Sequence, residues 1–527
     1  MKMTNKRITY LAFIYLLTIS MGLVSCEDKL DEDFNNPEKT TITKIEYHFT
    51  QNLLKGNFRL DANDAWNFAF NSANAYSDIN VRNSNNGVDE ISDPTRANGL
   101  WKNYYTVRMA PITEMNLLYN KLSGQEKDDY RVYIELGKIC GAFKTHHMTD
   151  IFGDMPYSDA FKARAIGDDQ ELFPKYDTQE EIYDAMLKDL KDASDALKAI
   201  TLNDSQAHRL LPTQDLIFHG DLGKWEKFAN SLRLRLAMRI SNIDPNKAKS
   251  VIEDIINNYS LIETNSDNVV FESEGPDGLN GLGEGFQLSN RGYEDAYNFG
   301  NTFASETMMN VMNPANDPRL LVLFQPNNNG DYVGVPNAPD LQADWVLANG
   351  PINEDNVAII NRTTFENNEL VPGVSMTAAE VAFLKSEAIL KGFISGNAQD
   401  EYEKGIRLSI EFYYGIRNLN TAASIPEPDA GTINTFLSTA PVAFDNTLEQ
   451  VYTQKWIHLG TLFPFESWAE YRRTGVPGLP DYLANGSTVA RPVRFLYPSD
   501  EAAFNSENYS TVSGKDTFYD NVWWDKD

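Results

Sequence analysis

The histidines are the first residues to consider for chemistry. The chain has six, and only His146 and His147 stand together, with Asp150 shortly after them. On a helix, His146 and Asp150 would share one face at the i, i+4 spacing and could form half of a metal site. A closed zinc site needs further ligands, and the neighbouring sequence offers none. We therefore expect core or solvated histidines and no metal.

Motifs of hydrolases and nucleotide-binding proteins are missing from the sequence. It contains no GxSxG, HExxH or Walker A pattern, and GLGEG at 281–285 lacks the spacing of a dinucleotide fingerprint. With 75 Asp and Glu residues, any fold will bring two carboxylates to the separation that a glycosidase needs. We therefore expect neither an enzyme nor a cofactor. A structural calcium ion in an Asp- and Asn-rich region is an alternative.

Aromatic residues are numerous, with 25 Tyr, 28 Phe and 8 Trp. Sugar rings stack on aromatic faces, and their hydroxyl groups bond to Asn, Asp, Gln and Arg side chains. Two stretches mix these residue types outside strong helical patterns, namely 66–76 and 286–299, with a tryptophan beyond the second. The candidate ligand-binding residues are Trp66, Asn67, Tyr76, Arg291, Tyr293 and Trp345. For each ring, packing in the core or in a loop is the alternative.

The N terminus predicts export and lipid attachment. Residues 1–25 hold three basic residues and no acid ahead of a short apolar run, which is typical of a signal peptide rather than a membrane anchor. The run ends in LVSC at 23–26, which resembles a bacterial lipobox, so cleavage before Cys26 would free its thiol and amine for acylation. A secretory leader with a chance cysteine is the alternative. Residues 26–40 are polar and acidic and predict a flexible tether.

The chain is strongly acidic. It has 46 Lys and Arg against 75 Asp and Glu, a net charge of −29, and loss of the leader's three basic residues gives −32 (43 against 75). Such a charge repels phosphate backbones, so we expect no nucleic-acid partner. It also favours lipid over a basic patch as the means of membrane attachment. If Cys26 is acylated, Cys140 has no disulfide partner, and we expect it to be buried as a small hydrophobe.

Helical patterns dominate the chain beyond the tether and must position the candidate residues. Thr178 with Glu181 and Thr377 with Glu380 predict capping boxes, and Asp244 before a proline predicts a third helix start. The predicted helices form four neighbouring pairs: 127–149 with 178–199, 224–241 with 245–259, 376–392 with 398–415, and 446–460 with a short helix near 464–473. A further helix is predicted over 101–120. Such pairs are typical of tetratricopeptide-like scaffolds, although no clean 34-residue period is present.

Two other features complete the architecture. Residues from about 265 to 375 are rich in Gly, Asn, Pro and Asp, which predicts a loop-rich insertion of the kind that carries binding residues. Near the C terminus, Arg472 and Arg473 lie beside Trp468 and Tyr471, where guanidinium groups can pair with acids or stack on rings. We expect these arginines to stabilise the fold. The GDMPY segment at 153–157 predicts a tight turn.

Several segments together resemble the SusD/RagB-like outer-membrane lipoproteins of Bacteroidota. They occur in a collinear order that covers nearly the whole mature chain. Besides the leader with Ser25, Cys26 and the acids after it, they are IFGDMPYSDA (151–160), FPKYDTQEEIYDAMLKDL (173–190), DLGKWEKFANSLRLRLAMRIS (221–241), MTAAEVAFLKSEAILKG (376–392), ESWAEYRRTGVPGL (466–479) and RPVRFLYPSDEAAFN (491–505).

The resemblance implies a mostly α fold, with about four tetratricopeptide-like helix pairs and an irregular lobe that carries the ligand site. It implies a SusD-like ligand-binding domain over 41–527, on the outer face of the outer membrane. It also implies a SusC-type TonB-dependent transporter as partner, and binding of an oligosaccharide, or as second choice a peptide, without cleavage. Glu27 and Asp28 resemble the signal for surface export. Family binding residues vary, so the resemblance assigns none.

Two other functions stay open at this point. A surface glycoside hydrolase would turn over polysaccharide, and its turnover would depend on one carboxylate. A helical-repeat adaptor would bind another protein and no small molecule. The leading hypothesis is a non-catalytic nutrient-binding lipoprotein. Direct measurements of ligand binding and of polysaccharide turnover distinguish it from these two alternatives.

Overall fold

The computed structural model describes residues 43–55, 58, 72–82, 96–163, 172–272 and 302–526. The predicted leader, Cys26 and the tether lie outside this part of the chain. No helix among the described residues is both long enough and apolar enough to cross a bilayer. The helices are α1 Ile45–Lys55, α2 Asn74–Tyr76, α3 Arg96–Asn103, α4 Ala110–Tyr119, α5 Gly124–Phe152, α6 Gln179–Ala199, α7 Gln206–Gln214, α8 Leu222–Arg239, α9 Pro245–Asn258, α10 Glu306–Met312, α11 Leu320–Leu323, α12 Pro339–Asn349, α13 Ala378–Leu390, α14 Ala398–Leu419, α15 Ala430–Leu437, α16 Leu448–Leu459, α17 Pro464–Thr474, α18 Ser499–Phe504 and α19 Ser506–Tyr509.

Strands are short and form small antiparallel sheets. The largest described sheet has four strands in the order β1-β3-β5-β4, and the others pair β2 with β6 and β7 with β8. The strands are β1 Asn80–Arg82, β2 Val269–Phe271, β3 Thr302–Ala304, β4 Phe324–Gln325, β5 Ile359–Ile360, β6 Gly373–Met376, β7 Tyr482–Ala484 and β8 Ser487–Val489.

All four predicted helix pairs are present. Helix α5 packs against α6, α8 against α9, α13 against α14, and α16 against α17. Further contacts of α6 with α8, α8 with α13, and α13 with α16 join the pairs into one stack. The fold is therefore mostly α and tetratricopeptide-like, as predicted, because each pair buries an apolar face only by stacking on its neighbours.

Helix α8 is the central helix of this stack and is buried on all sides along its second half. Its apolar residues pack in the core, but Arg233, Arg235 and Arg239 are buried as well. In the sequence these arginines fall largely outside the apolar face of α8, and no sequence pattern indicates which groups contact them. Because α5, α6, α9 and α13 surround α8, each guanidinium group must find an acid or a carbonyl oxygen inside the protein.

The helix caps agree with the sequence except at one position. Thr178 and Glu181 form the predicted capping box, and the Asp244 side chain accepts a hydrogen bond from the Lys247 backbone amide at 3.0 Å. Thr377 also caps α13, but the predicted box there is wrong, because the Glu380 carboxylate does not return to the cap. It instead accepts two 2.6 Å hydrogen bonds from Arg235 of α8. A buried guanidinium group is a stronger partner for a carboxylate than a backbone amide.

The predicted helix over 101–120 is interrupted. A π-helical segment, Tyr104–Arg108, separates α3 from α4, and Pro111 stands in the first turn of α4, where its missing amide hydrogen costs no bond. The described part of the predicted loop-rich region holds short strands and the helices α10 to α12 between irregular segments.

His458 shows how the core handles a titratable group. Its Nε2 lies 2.7 Å from Thr377 Oγ1 and its Nδ1 lies 3.0 Å from Ser409 Oγ, so one ring joins α16, the cap of α13, and α14. The side chain is fully buried. Burial, together with the nearby Arg319, lowers the pKa of His458 from 6.5 to about 3. The ring is therefore neutral at pH 7 and in mild acid.

We expect His458 to make the protein sensitive to mild acid. Below pH 6.5 the His458 side chain binds a proton in the unfolded chain but not in the folded protein. The free energy of unfolding therefore decreases as the pH is lowered from 6.5 to about 3. Lowering the pH from 8 to 5 should reduce the free energy of unfolding by about 2 kcal/mol through His458 alone. Urea unfolding of the wild type and of His458→Gln at both pH values measures this effect. Between pH 8 and pH 5, the free energy of unfolding of the variant should decrease by about 2 kcal/mol less than that of the wild type. Parallel losses in the two proteins would contradict this assignment.

Candidate functional site

Arg239 lies at the centre of a buried network of charges. Its Nη1 donates to Glu470 Oε1 at 2.6 Å, its Nη2 donates to Glu466 Oε1, and its Nε lies 3.4 Å from Asp150 Oδ2. Burial alone would raise the pKa of Glu466, but the guanidinium groups of Arg239 and Arg235 hold that pKa well below its usual range. The carboxylates therefore stay ionised, which suits ion pairing and not proton transfer at neutral pH.

Arg472 and Arg473 are part of the fold, as predicted, and each uses one of the two predicted modes. Arg473 donates to both carboxylate oxygens of Glu387, at 2.6 and 2.8 Å. Arg472 stacks between two indoles, with its guanidinium carbon 4.1 Å from the Trp468 ring centre and 4.8 Å from that of Trp524. Both arginines are buried, so neither presents its charge to a ligand in solution.

His146 and Asp150, considered as half of a metal site, have different partners in the structure. The Asp150 carboxylate accepts hydrogen bonds from the Tyr183 hydroxyl and from Trp524 Nε1, the latter at 2.8 Å. His146 instead lies close to Glu466, with 3.7 Å between its Nε2 and Glu466 Oε2. Sequence analysis missed Glu466 because it comes from α17, far along the chain from α5, and no local pattern signals that contact.

His147 lies next to this pair. The two imidazole rings are 4.0 Å apart between centres. Loss of solvent contact, reinforced by His146, lowers the pKa of His147 well below 6.5, so the ring is neutral at pH 7. His146 is fully buried and His147 is half-buried. The prediction of core histidines is therefore correct for His146.

The GDMPY segment is a loop, as predicted. Gly153 ends α5 with a φ of 78°, a left-handed conformation that suits glycine. The Asp177 carboxylate then accepts hydrogen bonds from the backbone amides of Tyr157 and Ser158, at 3.0 and 2.8 Å. Cys140 is a free, buried thiol, as expected, and burial raises its pKa to about 12. Neither feature is a reaction centre.

Of the six candidate ligand-binding residues, the structure describes two. Trp66, Asn67, Arg291 and Tyr293 lie outside the described residues. Tyr76 is only 2% exposed, and its ring centre lies 5.2 Å from that of Trp468. Tyr76 therefore packs in the core, which was the alternative for each ring. It has no exposed ring face on which a sugar could stack.

Trp345 is also largely buried, but it lies beneath the four-stranded sheet. It is 9% exposed and belongs to a cluster with Val81 of β1 and Phe303 of β3, separate from the main core. Val335, Ile352, Val357 and Ile359 complete that cluster. Trp345 therefore supports the sheet and is not a stacking platform itself.

The two aromatic stretches of the sequence lead into two paired strands. Strand β1 pairs antiparallel with β3, so that Asn80 lies opposite Ala304 and Arg82 lies opposite Thr302. The stretch with Trp66 and Tyr76 precedes the start of β1 at Asn80, whereas the stretch with Arg291 and Tyr293 precedes the start of β3 at Thr302. We call this pair of strands the β1/β3 edge. It is the candidate ligand site, because each stretch leads into one of its two strands and the pair is only three residues long.

A polar cleft lies between the segment that follows β5 and the C-terminal end of α14. Its volume is about 490 Å³, within the range of ligand pockets. The lining residues are Glu366, Asn367, Asn368, Glu369, Leu370, Leu419, Asn420, Thr421 and Ala422. No aromatic ring is among these described residues, so the cleft offers hydrogen bonds without a platform for a sugar. The Asn residues of these segments are the feature of the sequence that could have indicated the cleft. Loop composition alone did not distinguish these segments from the other loops.

Comparisons with known proteins place the chain in a family. Residues 35–498 match the model of the SusD-like family, described as starch-binding and associating with the outer membrane. No curated protein matches the chain. Among solved structures, a chitin-binding protein is 23% identical with a TM-score of 0.70, over 92% of this chain and 99% of that one.

Two further structures share the fold. A SusD homolog from Parabacteroides distasonis is 23% identical with a TM-score of 0.73, over 92% of this chain and 98% of that one. A SusD homolog from Bacteroides uniformis is 25% identical with a TM-score of 0.67, over 92% of this chain and 100% of that one. The resemblance stated from the sequence is thereby confirmed. Since the family match spans most of its length, this chain belongs to the SusD-like family.

Proposed function

We propose that this protein is a cell-surface lipoprotein that binds oligosaccharide nutrients and delivers them to a SusC-type TonB-dependent transporter of the outer membrane. Peptide is the second choice of ligand. The observation that carries the proposal is the family match over residues 35–498, whose description joins starch binding to the outer membrane. The similarity in fold to a chitin-binding protein is consistent with a glycan ligand.

We propose the β1/β3 edge as the ligand site. Rings and amide or guanidinium groups occur together in the two stretches that lead into this strand pair, and a glycan needs both a platform and hydrogen-bonding groups. Trp66, Asn67, Arg291 and Tyr293 are the candidate contacts. The buried cluster of Val81, Phe303 and Trp345 would give these contacts a rigid base.

Anchoring is proposed to occur through acyl chains on Cys26. Two or three long chains hold a protein on a bilayer far more firmly than one, at roughly 0.8 kcal/mol per buried methylene. The described residues give no helix able to span a membrane. A net charge of −29 makes attraction to anionic headgroups an unsuitable alternative.

We propose a binding role without catalysis, and the buried carboxylates around Arg239 fit this role because they are committed to ion pairs. Arg239 pairs with both Glu466 and Glu470. It holds the pKa of Glu466 well below the usual range, and Arg473, Lys455 and Arg239 together hold the pKa of Glu470 below that range. A glycosidase acid needs a raised pKa. Incubation with starch and chitin should therefore release no new reducing ends, and release that a single carboxylate substitution abolishes would favour the hydrolase instead.

Calorimetric titration with maltooligosaccharides, chitooligosaccharides and a peptide panel tests the binding proposal. We expect one glycan class to bind, and Trp66→Ala or Tyr293→Ala to weaken it by about 1–2 kcal/mol, or roughly 5–30-fold, because each removes a stacking face. Tyr47→Ala is the matched control, since Tyr47 is an exposed ring on α1, which packs against α4 and α5.

The control should bind as the wild type does. Failure of the folded protein to bind any member of the panel, combined with copurification of a large membrane barrel, would favour the adaptor hypothesis. Equal affinities of the Trp66, Tyr293 and Tyr47 variants would remove the β1/β3 edge as the site, while leaving glycan binding itself intact.

A further inference from the structure

Three potential metal ligands meet where α5 and α17 come together. His146 and His147 each offer a ring nitrogen and Glu466 offers a carboxylate oxygen, and these atoms all lie within 4.8 Å of one another. Ligands of a tetrahedral zinc ion, with bonds of 2.0–2.1 Å, are about 3.3 Å apart. Small rotations of the three side chains would bring their ligand atoms from the present separation to the one that zinc requires. Two imidazoles and one carboxylate are a donor set of zinc sites that keep an open position.

Four nitrogen and oxygen atoms of these side chains have no hydrogen-bond partner among the residues that the structure describes. They are Nδ1 and Nε2 of His146, Nδ1 of His147, and Oε2 of Glu466, all buried. His146 is fully buried and Glu466 is 3% exposed, so bulk water does not satisfy these atoms. A buried polar atom without a partner costs about 1–3 kcal/mol, and such atoms on three neighbouring side chains point to a bound group among them.

A small cavity leads to this point from the surface. His147 and Glu466 line it together with Phe143, Phe465, Arg235 and Ser375. The cavity gives an ion a path to the cluster and leaves room for water as a fourth ligand. The phenyl rings around it would keep the metal environment dry, which strengthens metal–ligand bonds.

We propose that His146, His147 and Glu466 form a binding site for a divalent transition metal of the Zn²⁺ type. Imidazole suits Zn²⁺, Cu²⁺ and Ni²⁺, whereas Ca²⁺ and Mg²⁺ require several oxygen ligands, and here there is one carboxylate. The site is separate from the β1/β3 edge, so this inference goes beyond the proposed function and does not depend on it.

Two neighbouring arginines limit what the site can hold. Arg239 pairs with Oε1 of Glu466, and Arg235 Nε lies 3.7 Å from its Oε2. Both cations repel an incoming dication, so only ligands as strong as imidazoles can hold it there. Arg235 also keeps an unpartnered Nη1, and Ser375 an unpartnered Oγ, along the same cavity. Hydroxide or a small anion on the open metal position would balance the added charge.

Zinc titration of the purified full chain, stripped of metal by a chelator, tests the proposal. We expect one Zn²⁺ per chain, unaffected by millimolar Ca²⁺, and an affinity reduced roughly 100-fold in His147→Gln, which loses a ligand at a half-buried position. His219→Asn is the matched control because His219 is exposed on a loop with a φ of 52°, which asparagine tolerates. The control should bind Zn²⁺ as the wild type does.

Diffraction at the zinc edge gives a second measurement that does not depend on any variant folding. Crystals of the wild type soaked in Zn²⁺ should show an anomalous peak between His146, His147 and Glu466. No stoichiometric binding, an equal affinity in folded His147→Gln, or a peak only at surface carboxylates would each overturn the proposal.

Discussion

Replacing Arg239 by Met is expected to lower the free energy of unfolding by about 3–5 kcal/mol. The substitution removes the shared partner of Glu466 and Glu470 while providing a long apolar side chain. It leaves Glu466 without its nearest cation and Glu470 with Arg473 and Lys455 alone. The arginine is fully buried, so water cannot replace it. Urea unfolding followed by tryptophan fluorescence measures the effect, and thermal unfolding should show a lower Tm.

Lys188→Met is the matched control. Lys188 forms an ion pair with Asp192 on the exposed face of α6, where solvent screens the interaction. We expect no measurable change in its unfolding. Equal stabilities of Arg239→Met and the wild type would mean that the network contributes nothing beyond a packed apolar side chain, as happens for some buried ion pairs.

Replacing Cys26 by Ala is expected to release the protein from the membrane. The full chain is expressed in a bacterium that processes lipoproteins, and the cells are fractionated after labelling with a radioactive fatty acid. Wild type should be labelled and sediment with membranes, and the variant should be unlabelled and found outside the membrane fraction, still folded and able to bind ligand. The physical reason is that acyl chains supply the membrane affinity that the acidic chain lacks.

Cys140→Ala is the matched control for losing a cysteine. Cys140 is buried within α5 and its thiol is held protonated, so we expect labelling and membrane attachment to persist. If the Cys26 variant stayed in the membrane fraction, another part of the chain would be the anchor.

The sequence predicted the helices best where the signal is local. The capping box of Thr178 and Glu181 and the cap at Asp244 lie within one turn of the helices they start, and both form as predicted. The four helix pairs were also predictable, because apolar residues three and four apart must find a neighbouring helix. The collinear segments then identified the family.

Prediction failed where a distant residue competes with a local one. Glu380 has the spacing of a capping box, but Arg235 of another helix takes its carboxylate. Tyr76 has the composition of a ligand platform, but the ring packs against Trp468. For Tyr76 the sequence left core packing open as the alternative, and only the tertiary structure decided between the two.

The candidate site was partly predictable. Composition singled out the stretches around Trp66 and Arg291 as ligand-binding, and this remains a prediction. That the two stretches lead into paired strands could not be read from the sequence, because it depends on the pairing of β1 with β3. Short strands carry little periodicity, and their partners are set by the helices that bring them together.

By itself, the sequence determined the helical character, the four pairs, the acidic charge and the family, since these follow from periodicity, caps, composition and the order of segments. Only the tertiary structure decided that α8 is surrounded, that its arginines are neutralised by acids from other helices, and that Glu466 rather than Asp150 lies closest to His146. The reason is physical. Local patterns depend on residues a few positions apart, whereas the partner of a buried charge is whichever group the packing brings within reach, however far away it lies in the chain.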